Sequence, residues 1–158
     1  MMRVRIQEVK VTKIKGSRKV PFWKIKSLKE MTLEEWELLC DRCGICCCEK
    51  IKNEETGRID LIPISCQFLD PAHCGCMIYQ DRLDVNPDCM ELTLETLKEM
   101  TWLPHTCAYR CIAEGRDLEW WHPLVSGHYE TVHQAGISVR DKIIPGRYIH
   151  PKDWMRKE

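Results

Sequence analysis

The stretch CDRCGICCC, at positions 40–48, places five thiols within nine residues. Consecutive side chains point in different directions, so thiols this dense cannot all enter one hydrophobic core. They are metal ligands, disulfide partners or exposed reactive groups. The 158-residue chain holds 11 cysteines, an odd number that forbids complete pairing within one molecule. Its start, MMRVRIQEVK, has no uninterrupted apolar stretch of the kind a secretory signal carries. Nowhere does an apolar run approach the ~20 residues of a membrane-spanning helix. A cytoplasmic location with no membrane partner is therefore expected, and there thiols stay reduced. Metal ligation is the favoured reading; disulfides stay open in the setting of a hyperthermophile, whose intracellular proteins can be rich in them.

The spacing sharpens that reading. Cys40, Cys43 and Cys46 follow one another at two-residue gaps, which lets thiolates from one tight turn converge while backbone N–H groups point at the sulfurs. The same run can supply three corners of a [4Fe–4S] cluster. Zinc and iron–sulfur both remain open on spacing alone. Cys46 and Cys47 are adjacent, so their side chains are expected to diverge and serve two neighbouring centres or one centre and the core. Downstream stand Cys66, the Cys74-Gly75-Cys76 pair, Cys89 and Cys107. Gly75 is expected to turn both of its flanking sulfurs inward. The candidate ligands are thus Cys40, Cys43, Cys46, Cys47, Cys66, Cys74, Cys76, Cys89 and Cys107, enough for one or two centres with one thiol to spare. Cys48 and Cys111 read as buried apolar residues.

Local signals place these thiols on an irregular α+β domain. A basic arm occupies 1–20, a cysteine-cluster domain 21–145 and a tail 146–158. In MTLEEWELLC, Thr32 and Glu35 form a capping box, and Met31 with Trp36 forms a hydrophobic staple. That helix delivers Cys40 at its end. EKIKNEETGRIDLIPIS reads as a β-hairpin turning at Thr56-Gly57, which returns Cys66 toward the cluster. A loop follows over 70–90, then a helix capped by Thr93 and a third capped by Thr106 and closed by Gly115. GISVRDKII has strand composition. Such short elements, with 44% hydrophobic residues, predict a small single domain organised around cysteine-ligated metal, whose binding energy of ~10 kcal/mol or more per site replaces a larger core.

Other chemistry has less support. His73 is read as an exposed loop histidine. His122 and His133, with Ser126, Ser138 and Arg140, could line a polar site, although a hydrogen-bonded histidine beside tryptophans is the simpler reading for His122. Trp36, Trp102, Trp120 and Trp121 are expected to cover the metal core. There is no Gly-rich phosphate loop. The arm carries seven Lys and Arg against Glu8, yet no aromatic residues are interleaved with its charges. Nucleic acid is an unlikely partner on that ground, and a protein partner is left open.

The segments FWKIKSLKEMTLEEWELLCDRCGICC, ETGRI, CGCMIYQDR, NPDC, LTLETL, WLPHTCAYR, WHPLVSG and GISVR together resemble the YcgN-type branch of the CxxCxxCC cysteine-cluster family, from about residue 22 to residue 140. The resemblance implies zinc or iron chelation by the nine cysteines above. It also implies that Cys48 and Cys111 stand where such proteins carry leucine. A related cysteine motif in flagellin lysine methylases suggests the alternative of a metal- or cluster-dependent, methyltransferase-like enzyme. The expectation is a chelating protein with a redox or structural role.

Overall fold

The computed structural model describes residues 20–150 together with Lys152. Apart from Val20, the basic arm lies outside the described residues.

Helix α1 (Phe22–Ile25) leads through a 3-10 turn at Leu28–Glu30 into α2 (Leu33–Leu38). The Thr32 capping box is present: Thr32 Oγ1 accepts from the Glu35 N–H at 3.2 Å, and Glu35 Oε2 accepts from the Thr32 N–H at 2.9 Å. It satisfies two of the donors that a helix start leaves unpaired. Leu39, fully buried, anchors the end of α2 and sets Cys40 at the mouth of the cysteine turn.

The hairpin forms as its sequence predicts. β1 (Cys48–Lys52) pairs antiparallel with β2 (Ile59–Ser65), and the connecting turn is held by Asn53 Oδ1, which accepts from the N–H groups of Glu55 and Thr56. The register slips between Cys48 and Lys50, opposite the stretch of β2 containing Pro63, which has no N–H to give the ladder. The Cys66 N–H then donates to the Cys47 carbonyl at 2.7 Å, so the hairpin does return Cys66 to the cluster.

From there the chain wraps through a 3-10 turn (Tyr79–Asp81) and α3 (Arg82–Val85) to α4 (Leu94–Glu99), capped by Thr93. Helix α5 (Ala108–Ala113) starts one residue later than expected. Its N-cap is Cys107 rather than Thr106, and Cys107 makes no side-chain cap hydrogen bond to oxygen or nitrogen. The N–H groups of Arg110 and Tyr109 instead face its sulfur. Helices α6 (Pro123–Ser126) and α7 (Glu130–Gln134) follow. GISVRDKII does not form a strand along its length. The Val139 N–H donates to the Cys43 carbonyl at 2.8 Å and Asp141 takes a positive φ of 62°, so the segment turns back onto the cysteine loop. Only β3 (Ile144–Pro145) is extended, parallel to Ile64 and Ser65 of β2. Just beyond it, Gly146 packs so tightly on the Ser65 carbonyl that a Cβ there would collide with it.

Two small apolar clusters flank the cysteine turn. One joins Leu28, Leu39, Ala108, Tyr109, Cys111 and Leu118; the other joins Cys48, Leu69, Cys74 and Val139. Trp36 is half-buried against the first; Trp121 is buried, whereas its neighbour Trp120 is 65% exposed. Gly44 sits where the turn meets the second cluster. Its φ is +79°, and a Cβ would lie 2.6 Å from Val139 Cγ2 and 3.2 Å from Cys74 Cβ. Gly44→Ala should therefore destabilise the protein by about 1–3 kcal/mol, from left-handed strain and overpacking together. Chemical denaturation measures it; an unchanged midpoint would refute the tight approach.

Candidate metal centre

The turn after α2 folds around its own carboxylate. Asp41 Oδ1 accepts from the Cys43 N–H at 2.9 Å, an Asx turn that lets Arg42 adopt φ 58° and Gly44 close the loop. A 3-10 turn (Ile45–Cys47) then carries Cys46 and Cys47 into β1. Helix α5 docks against α2 through Tyr109: its hydroxyl donates to the Trp36 carbonyl at 2.9 Å, and the two rings lie 4.8 Å apart. That packing brings Cys107 to the cysteine turn.

The thiols fall into two sets. Cys40, Cys43, Cys46 and Cys107 lie close enough for their charges to oppose one another's ionisation. On the hairpin side Cys76 and Cys89 lie close enough to oppose the ionisation of Cys66, and Cys76 that of Cys89. In this second set Asn86 Nδ2 donates to Cys66 Sγ at 3.6 Å, and a bridge between Leu69 and Cys76 closes the loop from 66 to 77. Cys47 stands between the sets. It is bonded through its carbonyl to the Cys66 N–H, and its thiol lies near enough to that of Cys46 to oppose the ionisation of Cys46.

Cys74 belongs to neither set. It takes a positive φ of 53°, so the left-handed residue of Cys74-Gly75-Cys76 is the cysteine and not the glycine. Cys74 is buried in the apolar cluster with Cys48. Cys48 and Cys111 are buried among apolar side chains, as leucine substitutes should be. His73 is exposed and pairs with Asp70 at 2.7 Å.

The polar residues expected to line one site divide into separate networks. His122 is buried, with Nδ1 accepting from the Leu124 N–H at 3.1 Å, which leaves Nε2 to donate to the Leu39 carbonyl at 3.0 Å. It is a helix cap that ties α6 to the residue before Cys40. Ser126 bonds Thr131, His133 bonds Ser138, and Arg140 pairs with Glu130.

Among the described residues, no three His, Cys, Asp or Glu side chains are drawn together tightly enough to hold a single ion as they stand. The donor set nonetheless fits a thiolate-bound group. Four thiols crowd one turn. The N–H groups of Arg42, Ile45, Phe68 and Tyr109 face the sulfurs of Cys40, Cys43, Cys66 and Cys107, each two residues on, as support for thiolates requires. Among the described residues, the buried Asp41 Oδ2 has no hydrogen-bond partner. Sequence reasoning passed over Asp41, although an Asp directly after the first cysteine of the run is the signal of an Asx turn.

Burial is the main cause that pushes the Cys40, Cys43 and Cys107 thiols up, reinforced by Asp41 and by one another; Cys107 reaches about 11. For Cys46 the contact with Cys47 comes first and burial second. Cys46 keeps a solvent-accessible side, which tempers the effect of the crowding around it. Metal binding must therefore displace protons from these thiols.

Comparison with known proteins places the cysteine turn inside a recognised domain. Residues 39–108 match the CxxCxxCC domain, described as a "putative zinc- or iron-chelating domain". A UPF0260 protein of Sinorhizobium fredii is 53% identical over 135 residues, covering 85% of this chain and 87% of its own. The chain belongs to the UPF0260 family. Other members include a Rhizobium etli protein, 52% identical over 134 residues and 85% of each chain, and a Granulibacter bethesdensis protein, 52% identical over 132 residues, 84% of this chain and 80% of its own. No solved structure matches. Among the described residues, no helix of this family member is long and apolar enough to cross a membrane.

The raised thiols give the metal-free protein a defined alkaline weakness. Burial holds Cys48 up at about 11, against an ordinary value of 9.0. A thiol kept neutral in the fold contributes stability that is complete below its unfolded pKa and is lost as pH rises through its folded one. Stability of the metal-free protein should fall between about pH 9 and 11, and Cys48→Val should flatten that fall. Denaturant titrations across the range measure it; a flat wild-type profile would contradict the burial of these thiols.

Proposed function

We propose that this protein is a redox-active metal–thiolate protein with two cysteine-ligated centres. The first is an iron–sulfur cluster held by Cys40, Cys43, Cys46 and Cys107. The second draws on Cys47, Cys66, Cys76 and Cys89. The observation that carries this reading is the first thiol set: three cysteines at successive two-residue gaps in one turn, joined by Cys107, with charges that oppose one another's ionisation. A single tetrahedral zinc, with bonds of about 2.3 Å, needs its sulfurs within about 4 Å of each other. A cluster of several irons takes its four thiolates further apart, and the x2-x2 run is a cluster pattern.

When bound, such a cluster supplies one-electron redox chemistry. The chain's own residues then set its properties. Backbone N–H groups directed at the sulfurs stabilise the thiolates, and the reduced state with them. Lys50 adds positive charge beside Cys46, with Nζ fixed by the carbonyls of Cys46 and Cys48 at 2.8 and 2.9 Å and set over the Trp102 ring. Leu39 and Tyr109 exclude water from one side, while Cys46 is exposed and offers the shortest route for an electron to a protein partner.

The methyltransferase-like alternative would require a substrate cleft beside the thiols. A cavity of about 520 Å³ between Leu28, Leu97, Met100 and Ile112, and another of about 470 Å³ beside Trp23 and Asp117, contain none of the eleven cysteines in their walls.

Anaerobic purification followed by iron, sulfide and zinc analysis tests it. The expected protein is brown, with iron and sulfide in comparable amounts, and Cys107→Ala and Cys89→Ala each lose the metal of one centre while keeping the other. A colourless zinc protein would retire the cluster. A folded protein free of both metals would retire chelation altogether.

A further inference from the structure

The cavity of about 520 Å³ lies apart from both thiol sets, between the 3-10 turn at Leu28–Glu30, α4 and α5. Its floor is apolar and is made by Leu28, Leu94, Leu97, Met100, Leu103 and Ile112. Of these, Leu28, Met100 and Leu103 are buried, so the space reaches the inner side of the helices. Packed proteins leave few voids larger than a water molecule. A domain with so small a core would gain from closing this one, yet it stays open. Its volume falls within the range of about 300–1,000 Å³ that small-molecule sites occupy.

Charge narrows the occupant. Residues 20–150 carry 14 Lys and Arg against 21 Asp and Glu, so the domain as a whole repels anions. The cavity reverses that balance: Lys29, Lys98 and Arg110 line it, against Glu114 as its single acid. Arg110 is already committed, with Nε donating to Glu114 at 2.7 Å and Nη1 to the Leu103 carbonyl at 2.7 Å. Lys29 and Lys98 are exposed, and neither forms an ion pair among the described residues. No glycine lines the space, so it lacks the Gly-rich turn whose backbone N–H groups cradle a phosphate. A docked protein segment would spread over a face of ~800 Å². An apolar concavity with two cations at its rim suits a small amphiphile better.

We propose that this cavity is a binding site for a medium-chain monocarboxylate. The hydrocarbon tail lies on the apolar floor, and Lys29 and Lys98 hold the carboxylate at the rim. The long lysine stems can lie along the apolar wall while their ammonium groups stay in water, which is how such a rim accepts an amphiphile. No bond is made or broken. The site stands apart from the proposed metal centres, because no cysteine lines it.

Calorimetric titration of the full-length, anaerobically isolated protein with decanoate tests it. Binding should saturate at one equivalent with a Kd of about 10–100 μM, in keeping with a ligand of this size. Decyltrimethylammonium, which has the same tail and the opposite charge, should bind about tenfold more weakly or worse. The double variant Lys29→Gln/Lys98→Gln removes two exposed charges and should weaken decanoate about three- to tenfold. Ala113→Trp, at an exposed position in the wall, should fill the space and abolish binding. Absence of saturable decanoate binding below about 1 mM overturns the proposal, as does equal affinity for the cationic amphiphile. Unchanged affinity in either variant overturns it too. An acidic amphipathic peptide that binds where decanoate does not would overturn it in favour of a protein partner. Should Ala113→Trp not fold, the lysine double variant, altered only at exposed side chains, decides.

Discussion

The turn from Cys40 to Cys48 gathers acidic groups where water is scarce, and the rest of the molecule is arranged around that strain. Cys40, Cys43, Cys46 and Asp41 lie in the turn, Cys107 approaches from the start of α5, and burial raises every member of the thiol set. Left alone, such a cluster is protonated and dispensable; with a cation it becomes the strongest interaction the domain can make. Much of the surrounding structure consists of clamps on this turn. Leu39 anchors its start, Val139 bonds the Cys43 carbonyl, Cys66 bonds the Cys47 carbonyl, and Tyr109 holds α5 so that Cys107 can join.

The weakness of the conventional core follows from the same design. Two small apolar clusters hold only ten buried residues between them, and four of those are in the cluster that includes Cys48 and Cys74. Helices of four to six residues cannot stand alone in water. They are held by caps, by short crossing hydrogen bonds and by the thiol-bearing loops between them. The matched CxxCxxCC domain spans the same region, residues 39–108, from the clamp at Leu39 through the first residue of α5.

Much of this was legible in the sequence because the signals are local. Thr32 with Glu35, Thr93 with its helix, and the Thr56-Gly57 hairpin all depend on residues within a few positions of each other. The errors arose where distant contacts decide. Residues 136–143 have strand composition, but the Val139 N–H is taken by Cys43, nearly a hundred residues earlier. Cys74 sits in a Cys-Gly-Cys motif, and its packing against Val139, far along the chain, could not be read from that motif. Trp120 and Trp121 are neighbours with identical chemistry, and only the tertiary fold decides that one is buried and the other exposed. Asp41 was hidden for a different reason: an aspartate in a charged turn looks ordinary until its burial and its missing partner are seen.

The central claim is that a compact chain and its bound metal are one state. Native mass spectrometry of the anaerobically isolated, full-length protein tests it directly. The account predicts that compact, low-charge ions carry the mass of the polypeptide plus iron and sulfide, and that ions at the bare polypeptide mass are extended. Compact ions at the bare mass, in protein never exposed to air or chelator, would contradict it.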